Sequence, residues 1–293
     1  MKLLAKFTLI FASVFGICLA VVGYVAHRFL EENARSQVIQ QARLMMETAG
    51  SARSYTNANV KPLLQDQQAH IRKFLPETVP AFAATESFNY LHTKYPDYTY
   101  KEATLNPTNL RDRAVDWEAD VINTFRNRPA THELIGERPT PTGIALFLAR
   151  PIAASPTACL ECHDTPATAP PSLIRHYGSQ HGFGWKLNEV VGAQIVSVPL
   201  AVPLQLAETG FRTLMIALGA IFLASLIALD LVIVLTISRP VSNLSRMADE
   251  ISLGNLDAPE LPVKGHDEVS VLAGSFNRMR RSLVQAMQLL EEH

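Results

Sequence analysis

The most chemically specific segment of the sequence is the run Cys159-Leu160-Glu161-Cys162-His163. The C-x-x-C-H spacing is the attachment signature of c-type haem. The two thiols add to the vinyl groups of the porphyrin, and the adjacent histidine is then placed to bind the iron from the proximal face. The motif therefore predicts one covalent haem c, with Cys159 and Cys162 as the thioether residues and His163 as the proximal iron ligand.

Two other uses of a cysteine pair are open at this motif. A structural zinc site needs two further ligands at matched spacing, and the sequence has no second cysteine pair. A redox-active disulfide between Cys159 and Cys162 is the other alternative, although no thioredoxin-like pattern of strand and helix surrounds the pair. Haem is favoured because bacterial c-type haem is attached outside the cytoplasmic membrane, and the motif lies in the segment 27–212 that the charges around the two apolar runs predict to be periplasmic.

The sequence leaves the distal iron ligand unknown. An open position would suit a gas sensor, whereas a firm sixth ligand would suit electron transfer or redox sensing. The candidates outside the apolar runs are not distinguished by their spacing. They are His70, His92, His132, His176, His181, Met45, Met46 and Tyr55.

Basic and aromatic residues in the same part of the chain are candidates for holding the porphyrin. Lys101, Arg111 and Arg113 are predicted to neutralise haem propionates through charge-assisted hydrogen bonds, with solvated surface charge as the alternative. Aromatic side chains could line the porphyrin plane or serve as ordinary core. The further candidates of these two kinds are Arg175, Lys186, Trp117, Phe183 and Trp185.

The composition indicates membrane segments. Of the 293 residues, 48% are hydrophobic and only 18% are charged, whereas about a quarter of a soluble domain is usually charged. The net charge of −1 excludes a broadly basic surface for nucleic acid. Three cysteines are too few for a secreted scaffold held together by disulfides.

Two apolar runs, residues 7–26 and 213–237, are predicted to be transmembrane helices. The first contains Cys18 and is longer than the apolar core of a signal peptide, so we interpret it as an uncleaved anchor rather than a cleaved signal. Lysines precede the first run and arginines follow the second. The positive-inside rule therefore predicts cytoplasmic termini and a periplasmic segment at 27–212. Asp230, inside the second run, is interpreted as a contact in a helix bundle or as a group near enough to the interface to draw in water.

The periplasmic segment combines helical and strand patterns. From residue 27 to about 64, apolar residues recur at three- and four-residue spacing, which predicts an amphipathic helix that ends or bends at Pro62. Strand-like runs at 143–149 and 192–198 lie on either side of the C-x-x-C-H motif. This pattern predicts an α+β sensor-type domain.

Six separated segments occur in a characteristic order along this part of the chain. They are Pro76–Phe82, Tyr100–Ala103, Leu105–Asn109, Cys159–His163, Tyr177-Gly178 and Gly182–Lys186. Together they resemble the Tll-like family of periplasmic c-haem sensor domains. The resemblance covers roughly residues 30–205 and implies a PAS-like fold, with thioether bonds at Cys159 and Cys162 and a proximal ligand at His163. It leaves the distal ligand open.

Residues 238–293 resemble a HAMP linker. Pro240 follows the second apolar run, Asp267-Glu268 precedes a second heptad pattern, and the run Phe276-Asn277-Arg278-Met279 also matches that family. The resemblance implies a parallel, dimeric four-helix coiled coil that relays motion, with Pro240 and Glu268 as relay residues; a generic coiled coil is the alternative. The apolar positions are Val241, Leu244, Ala248 and Ile251, then Leu272, Phe276, Met279, Leu283, Ala286 and Leu290.

We therefore expect an α+β PAS-like extracytoplasmic domain between two transmembrane helices, followed by an all-α HAMP parallel coiled coil. The expected order is a cytoplasmic segment 1–6, a span 7–26, a sensor 27–212, a span 213–237 and a HAMP domain 238–293. No kinase, cyclase or methyl-accepting segment follows in this sequence, so we expect a receptor that is not itself an enzyme.

The expected receptor is a homodimer in the bacterial inner membrane. It would sense redox state or a diatomic gas (O2, NO or CO) and signal to a separate cytoplasmic effector. A membrane-anchored c-type cytochrome for electron transfer is the alternative function. A haem peroxidase-like enzyme has little support, because no distal acid–base pair can be named from spacing.

Overall fold

The computed structural model describes residues 3–64, 72–155, 159–255, 259–263 and 265–291. The chain forms two compact units. One unit is Arg28–Gly210, and the other combines Met1–His27 with Phe211–His293.

A four-stranded antiparallel sheet forms the centre of the Arg28–Gly210 unit. Its strands are β1 (Thr99–Thr104), β2 (Leu134–Thr140), β3 (Gly143–Ala153) and β4 (Val190–Pro199), in the order β1-β4-β3-β2. The two strands predicted from the sequence are confirmed and lie within β3 and β4. The α+β class is confirmed as well, because helices pack on this sheet.

The helices of this unit surround the sheet. The first helix, α1 (Leu3–Tyr55), is one continuous element that begins in the other unit and is followed by a π-helical turn at Thr56–Val60. The others are α2 (Pro80–Lys94), α3 (Asp116–Asn127), the short α4 (Leu160–His163) and α5 (Pro171–Tyr177).

Both faces of the sheet are buried, and each packs in a core of its own. Successive residues of a strand point to opposite faces and so enter different cores. Leu148 and Val196 pack in a core with the apolar face of α1, which includes Val38, Ala42 and Met46. The neighbouring residues on the same strands face a second core built on α3, which contains Ile122 and Phe125. The amphipathic face predicted for α1 is thus confirmed as a packing surface.

The other unit contains two helices that are long and apolar enough to cross a membrane. They are the N-terminal part of α1 and α6 (Ala201–Ile233), with mean hydropathies of 2.4 and 2.7 in their most apolar windows. Phe15 and Phe222 pack with ring centroids 5.3 Å apart. The helices extend beyond the apolar runs, so the exact boundaries of the spans remain predictions.

A pair of shorter helices completes this unit. After a π-helical turn at Val234–Ser238 come α7 (Arg239–Ser252) and α8 (Glu268–Glu291). Pro240 is the second residue of α7, which continues from α6 through the π-helical turn, so its missing N–H interrupts the helical hydrogen bonding at this point. A small core holds the two helices together; it contains Leu244, Met247, Ile251, Leu261 and Ala273.

The N-terminus of α8 and its connector are held by polar contacts. The Asp267 side chain accepts a hydrogen bond from the backbone N–H of Ser270 at 2.8 Å, whereas Glu268 is exposed at the first helical position. Asn277 is buried and forms two hydrogen bonds with the backbone of Leu261, at 3.0 and 2.9 Å. The cap on α8 is therefore Asp267, and the relay role predicted for Glu268 remains untested.

Candidate functional site

The C-x-x-C-H motif forms a single tight helical turn on the wall of a cavity. The backbone N–H groups of Cys162 and His163 both bond to the carbonyl of Cys159, at 3.2 and 3.0 Å. This turn directs all three side chains to one cavity of about 460 Å³ in the Arg28–Gly210 unit. The two thiols are free, so the structure brings together the three residues that the motif predicts.

His163 is held in one orientation by its surroundings. Its Nδ1 lies 2.7 Å from the carbonyl oxygen of Gly182, and its ring stacks on Trp185 with centroids 3.9 Å apart and planes at 10°. A carbonyl only accepts, so Nδ1 carries the proton and the lone pair of Nε2 is left for a metal. Burial lowers the pKa of His163, against the opposing effect of the Gly182 carbonyl, and this favours the neutral imidazole that metal ligation requires.

A loop 19 residues further along the chain supplies that carbonyl. Asn106 accepts a hydrogen bond from the N–H of Gly182 at 3.2 Å and donates to the carbonyl of Phe183 at 3.3 Å. Gly182 has φ +84°, and a Cβ there would lie 2.1 Å from Oγ1 of Thr108. Glycine is therefore required for the close approach that fixes His163. Asn106, Thr108 and Gly182 lie in the segments that carry the family resemblance, but the sequence did not predict that they orient His163.

The surroundings of Cys162 favour its protonated thiol. Burial raises the pKa of the Cys162 thiol, Glu161 raises it further, and the Lys61 ammonium opposes the change. Cys162 packs beside Phe74 and Leu173. Oγ of Ser155 lies 3.7 Å from Sγ of Cys159.

The remaining cavity wall is largely apolar and comes from several separate segments. This combination of two thiols, a fixed neutral imidazole and apolar walls fits the groups that a c-type haem needs. The cavity is also within the size range of small-molecule and cofactor sites, about 300–1,000 Å³. The apolar and aromatic residues of the wall include Phe74, Pro76, Val79, Pro80, Phe82, Pro107, Ile152, Leu173 and Trp185.

Comparison with known families identifies this unit. The model of the Tll0287-like family matches residues 31–199, which is more than half of the chain. The protein belongs to the Tll0287-like family. A HAMP domain model matches residues 232–285, so both resemblances seen in the sequence are confirmed.

Two individual proteins are similar to parts of this chain. The sensor histidine kinase MtrB of Mycolicibacterium paratuberculosis is 37% identical over 81 residues, a segment that spans 28% of this chain and only 14% of the kinase. The crystal structure of the cyanobacterial heme-protein Tll0287 aligns with 55% of this chain and 94% of its own, at 14% identity and a TM-score of 0.41.

The Tll0287-like domain places one of the three predicted propionate partners on the cavity wall. Arg111 lines the cavity, forms ion pairs with Glu86 and Asp112, and lies 5.0 Å from the ring centroid of Phe82. Lys101 instead bonds to Glu118 at 2.7 Å and to the carbonyl of Arg113 at 2.8 Å. Neither Lys101 nor Arg113 is among the described residues of the wall.

Two cations of the wall were missed in the sequence. Arg53, near the end of α1, and Lys61, just after the π-helical turn, both line the cavity. Arg53 forms an ion pair with Glu102, which also accepts a hydrogen bond from the Tyr100 hydroxyl at 2.8 Å. The sequence named Met45, Met46 and Tyr55 as the ligand candidates of this helix and predicted that its apolar face packs, so only the position of the two cations after the apolar stripe could have marked them.

The distal candidates that the structure describes are not among the described residues of the cavity wall. Met45 and Met46 belong to the core of α1, Tyr55 is 63% exposed, and His176 packs against Phe74. His92, His132 and His181 are also absent from the described wall, and His70 lies outside the described residues. Of the three aromatic candidates, Trp185 lines the cavity, whereas Trp117 packs on Phe147 and Phe183 lies beside Cys162 in a core cluster.

Proposed function

We propose that the chain is a membrane receptor that carries one covalent haem c in its Tll0287-like domain and senses redox state or a diatomic gas. The observation that carries this proposal is the convergence of Cys159, Cys162 and His163 on one apolar cavity. The Tll0287-like family, whose model matches residues 31–199, shares its name with a cyanobacterial heme-protein, which is consistent with this proposal.

Each residue of the motif has a distinct part in holding the group. Cys159 and Cys162 would form the two thioether bonds, and Nε2 of His163 would bind the iron. The Gly182 carbonyl fixes the imidazole tautomer and raises the basicity of the ligand nitrogen. The iron supplies a centre whose charge and ligation change with redox state or with a bound gas.

The helices on either side supply a route for a signal. The domain is enclosed in sequence by α1 and α6, which we propose cross the inner membrane with the domain in the periplasm and both termini in the cytoplasm. The HAMP domain would then pass the change to a cytoplasmic signalling partner in a homodimer. Coupling of this kind needs two packings with different affinity for the signal.

Covalent haem is tested first. The full-length protein, produced with a c-type haem maturation system, should retain haem peroxidase staining after denaturing electrophoresis. Cys159→Ala combined with Cys162→Ala should abolish the stain, while Cys18→Ala should leave it unchanged. Covalent haem in the double variant would exclude the assignment.

Sensing is tested separately on the haem-loaded protein. Cysteines at Leu272 and Met279, which are 54% and 57% exposed on α8, report the contacts of that helix. Their disulfide cross-linking between chains should change when the haem is reduced or exposed to CO or NO. Covalent haem with cross-linking that is insensitive to every one of these states would instead favour a membrane-anchored cytochrome for electron transfer.

A further inference from the structure

The wall of the cavity carries three cations that differ in their bonding. Arg53 is paired with Glu102, and Arg111 with Glu86 and Asp112. Lys61 is half-buried, and its side-chain ammonium forms no hydrogen bond or ion pair within the described part of the chain. It is also the one cation of the three that can offer a lone pair, because a guanidinium stays protonated and has only donors.

The π-helical turn accounts for the position of Lys61. In a regular α-helix, eight steps of about 100° would leave residues 53 and 61 roughly 80° apart around the axis. The N–H of Lys61 bonds instead to the carbonyl of Thr56, five residues earlier. A π turn accommodates one extra residue and so reduces the offset to about 20°. Lys61 thus shares the cavity face of Arg53, and π turns of this kind often occur at functional sites.

Pro62 gives a local reason for this turn. Proline has no N–H to donate to the carbonyl of Ala58, and its ring would clash with that carbonyl in an α-helix. The break in the α-helical pattern at Thr56–Val60 lies directly before it. The sequence around Lys61 is therefore suited to turning this side chain toward the cavity.

Lys61 shares its cavity with the motif. Lys61, Cys162 and His163 all line this one cavity in the Arg28–Gly210 unit. The amine of Lys61 is therefore available on the same cavity wall as the imidazole that would bind the iron.

We propose that Lys61 would supply a second protein ligand to the haem iron, through its amine nitrogen, in addition to His163. This inference rests on the proposed covalent haem and specifies its coordination. A ligand held by one flexible side chain next to a π turn can leave the iron, which would free a position for a diatomic gas.

The test uses the optical and electron paramagnetic resonance spectra of the haem-loaded, full-length protein. The ferric wild type should be low-spin, because two nitrogen ligands give a strong ligand field. Lys61→Ala and Lys61→Arg should both become high-spin, and Lys61→His should restore a low-spin spectrum. Lys73→Ala is the matched control, since Lys73 is an exposed lysine outside the described cavity wall, and it should match the wild type.

Lys61→Arg separates ligation from charge, because it keeps the cation but cannot ligate. A low-spin Lys61→Arg or Lys61→Ala variant, or a high-spin wild type, would overturn the proposal. A ferric spectrum that changes in Tyr177→Phe but not in Lys61→Ala would overturn the proposal and assign the ligand to the phenol of the same wall. Absence of covalent haem from the wild type would instead reject the proposed function, so the two failures are distinguishable.

Gas binding gives a second measurement. The rate of CO binding to the reduced wild type should reach a plateau as the CO concentration rises, because the amine must leave first. In Lys61→Ala the rate should rise in proportion to CO concentration. A wild type without a plateau would contradict an amine ligand in the reduced state.

Discussion

Arg53 of α1 is paired with Glu102 of β1 on the wall of the cavity that the C-x-x-C-H motif lines. Glu102 is 5% exposed, and the Tyr100 hydroxyl bonded to it accepts a hydrogen bond from Gln194 at 3.0 Å. The pair therefore joins α1 to strands β1 and β4 through a polar network. Burial, followed by the negative charge of Glu102, raises the pKa of Tyr100, which keeps its hydroxyl a donor.

We expect Arg53→Ala to destabilise the domain, because it leaves the buried Glu102 carboxylate without its cation. Loss of one partner of a buried pair costs roughly 3–5 kcal/mol, and the 31% exposure of the Arg53 side chain favours the lower end of that range. Both tryptophans of the chain, Trp117 and Trp185, lie in this domain. Urea denaturation of the full-length protein in detergent, followed by tryptophan fluorescence, measures the change.

Arg43→Ala is the matched control for this prediction. Arg43 also links α1 to the body of the domain, through Glu133 at 2.8 Å, but the side chains are 52% and 24% exposed. An exposed pair contributes about 0–1 kcal/mol. Equal losses of unfolding free energy in the two variants would mean that the Arg53–Glu102 pair stabilises the domain no more than an exposed ion pair does.

The orientation of His163 depends on a glycine. Gly182→Ala should lower haem incorporation and alter the ferric haem spectrum, because its Cβ would displace Thr108 and shift the carbonyl that holds Nδ1. Gly184→Ala is the control, since it has nearly the same φ of +82° but nothing within 4 Å of the added Cβ. It should cost only the strain of a left-handed residue, about 1–2 kcal/mol. Normal haem incorporation and spectra in Gly182→Ala would argue against this role.

Asp112 makes the stability of the domain depend on pH. Burial raises the pKa of its carboxyl to about 6, against the opposing charge of Arg111, from an ordinary value of 3.8. The folded state then binds more protons than the unfolded state between these two values, so stability should fall as pH rises from about 4 to 6. Asp112→Asn removes the titrating carboxyl. It should therefore raise the free energy of unfolding by up to about 3 kcal/mol at pH 7 and change it little below pH 4.

The measurement is best made without the charges of a cofactor. Urea denaturation at pH 4 and pH 7 in a Cys159→Ala, Cys162→Ala background compares Asp112→Asn with its parent. Asp97→Asn, at an exposed aspartate, should show no such difference. A gain from Asp112→Asn that is the same at both pH values would contradict the titration of this group.

Local patterns predicted much of this fold, because they depend on neighbours along the chain. The apolar spacing of α1, the strands that became β3 and β4, and the C-x-x-C-H motif were all visible in short windows. Arg53 and Glu102 are 49 residues apart, and His163 and Gly182 are 19 apart, so their contacts depend on tertiary folding. Lys61 reaches the cavity only because of the extra residue in the π turn, which hydrophobic periodicity does not reveal.

Asp230 has a partner in the first apolar helix. Oγ1 of Thr8 donates a hydrogen bond to Oδ1 of Asp230 at 2.7 Å, and this contact fixes the register of the two helices. Interhelical hydrogen bonds in membranes contribute about 0.6 kcal/mol on average and up to about 1.7. Thr8→Val should therefore weaken the pairing of the two helices by roughly 3-fold to 20-fold, whereas Thr8→Ser should preserve it.

Cross-linking within one chain tests this register. Cysteines replace Phe15 and Phe222, whose ring centroids lie 5.3 Å apart, in a Cys18→Ser background, and a short bifunctional thiol reagent joins them. The cross-linked fraction should fall in Thr8→Val and in Asp230→Leu, and Thr8→Ser should match the parent. Since both changes remove the same hydrogen bond, the double variant Thr8→Val, Asp230→Leu should lose no more than either single variant. Additive losses would show that Asp230 acts through a different partner.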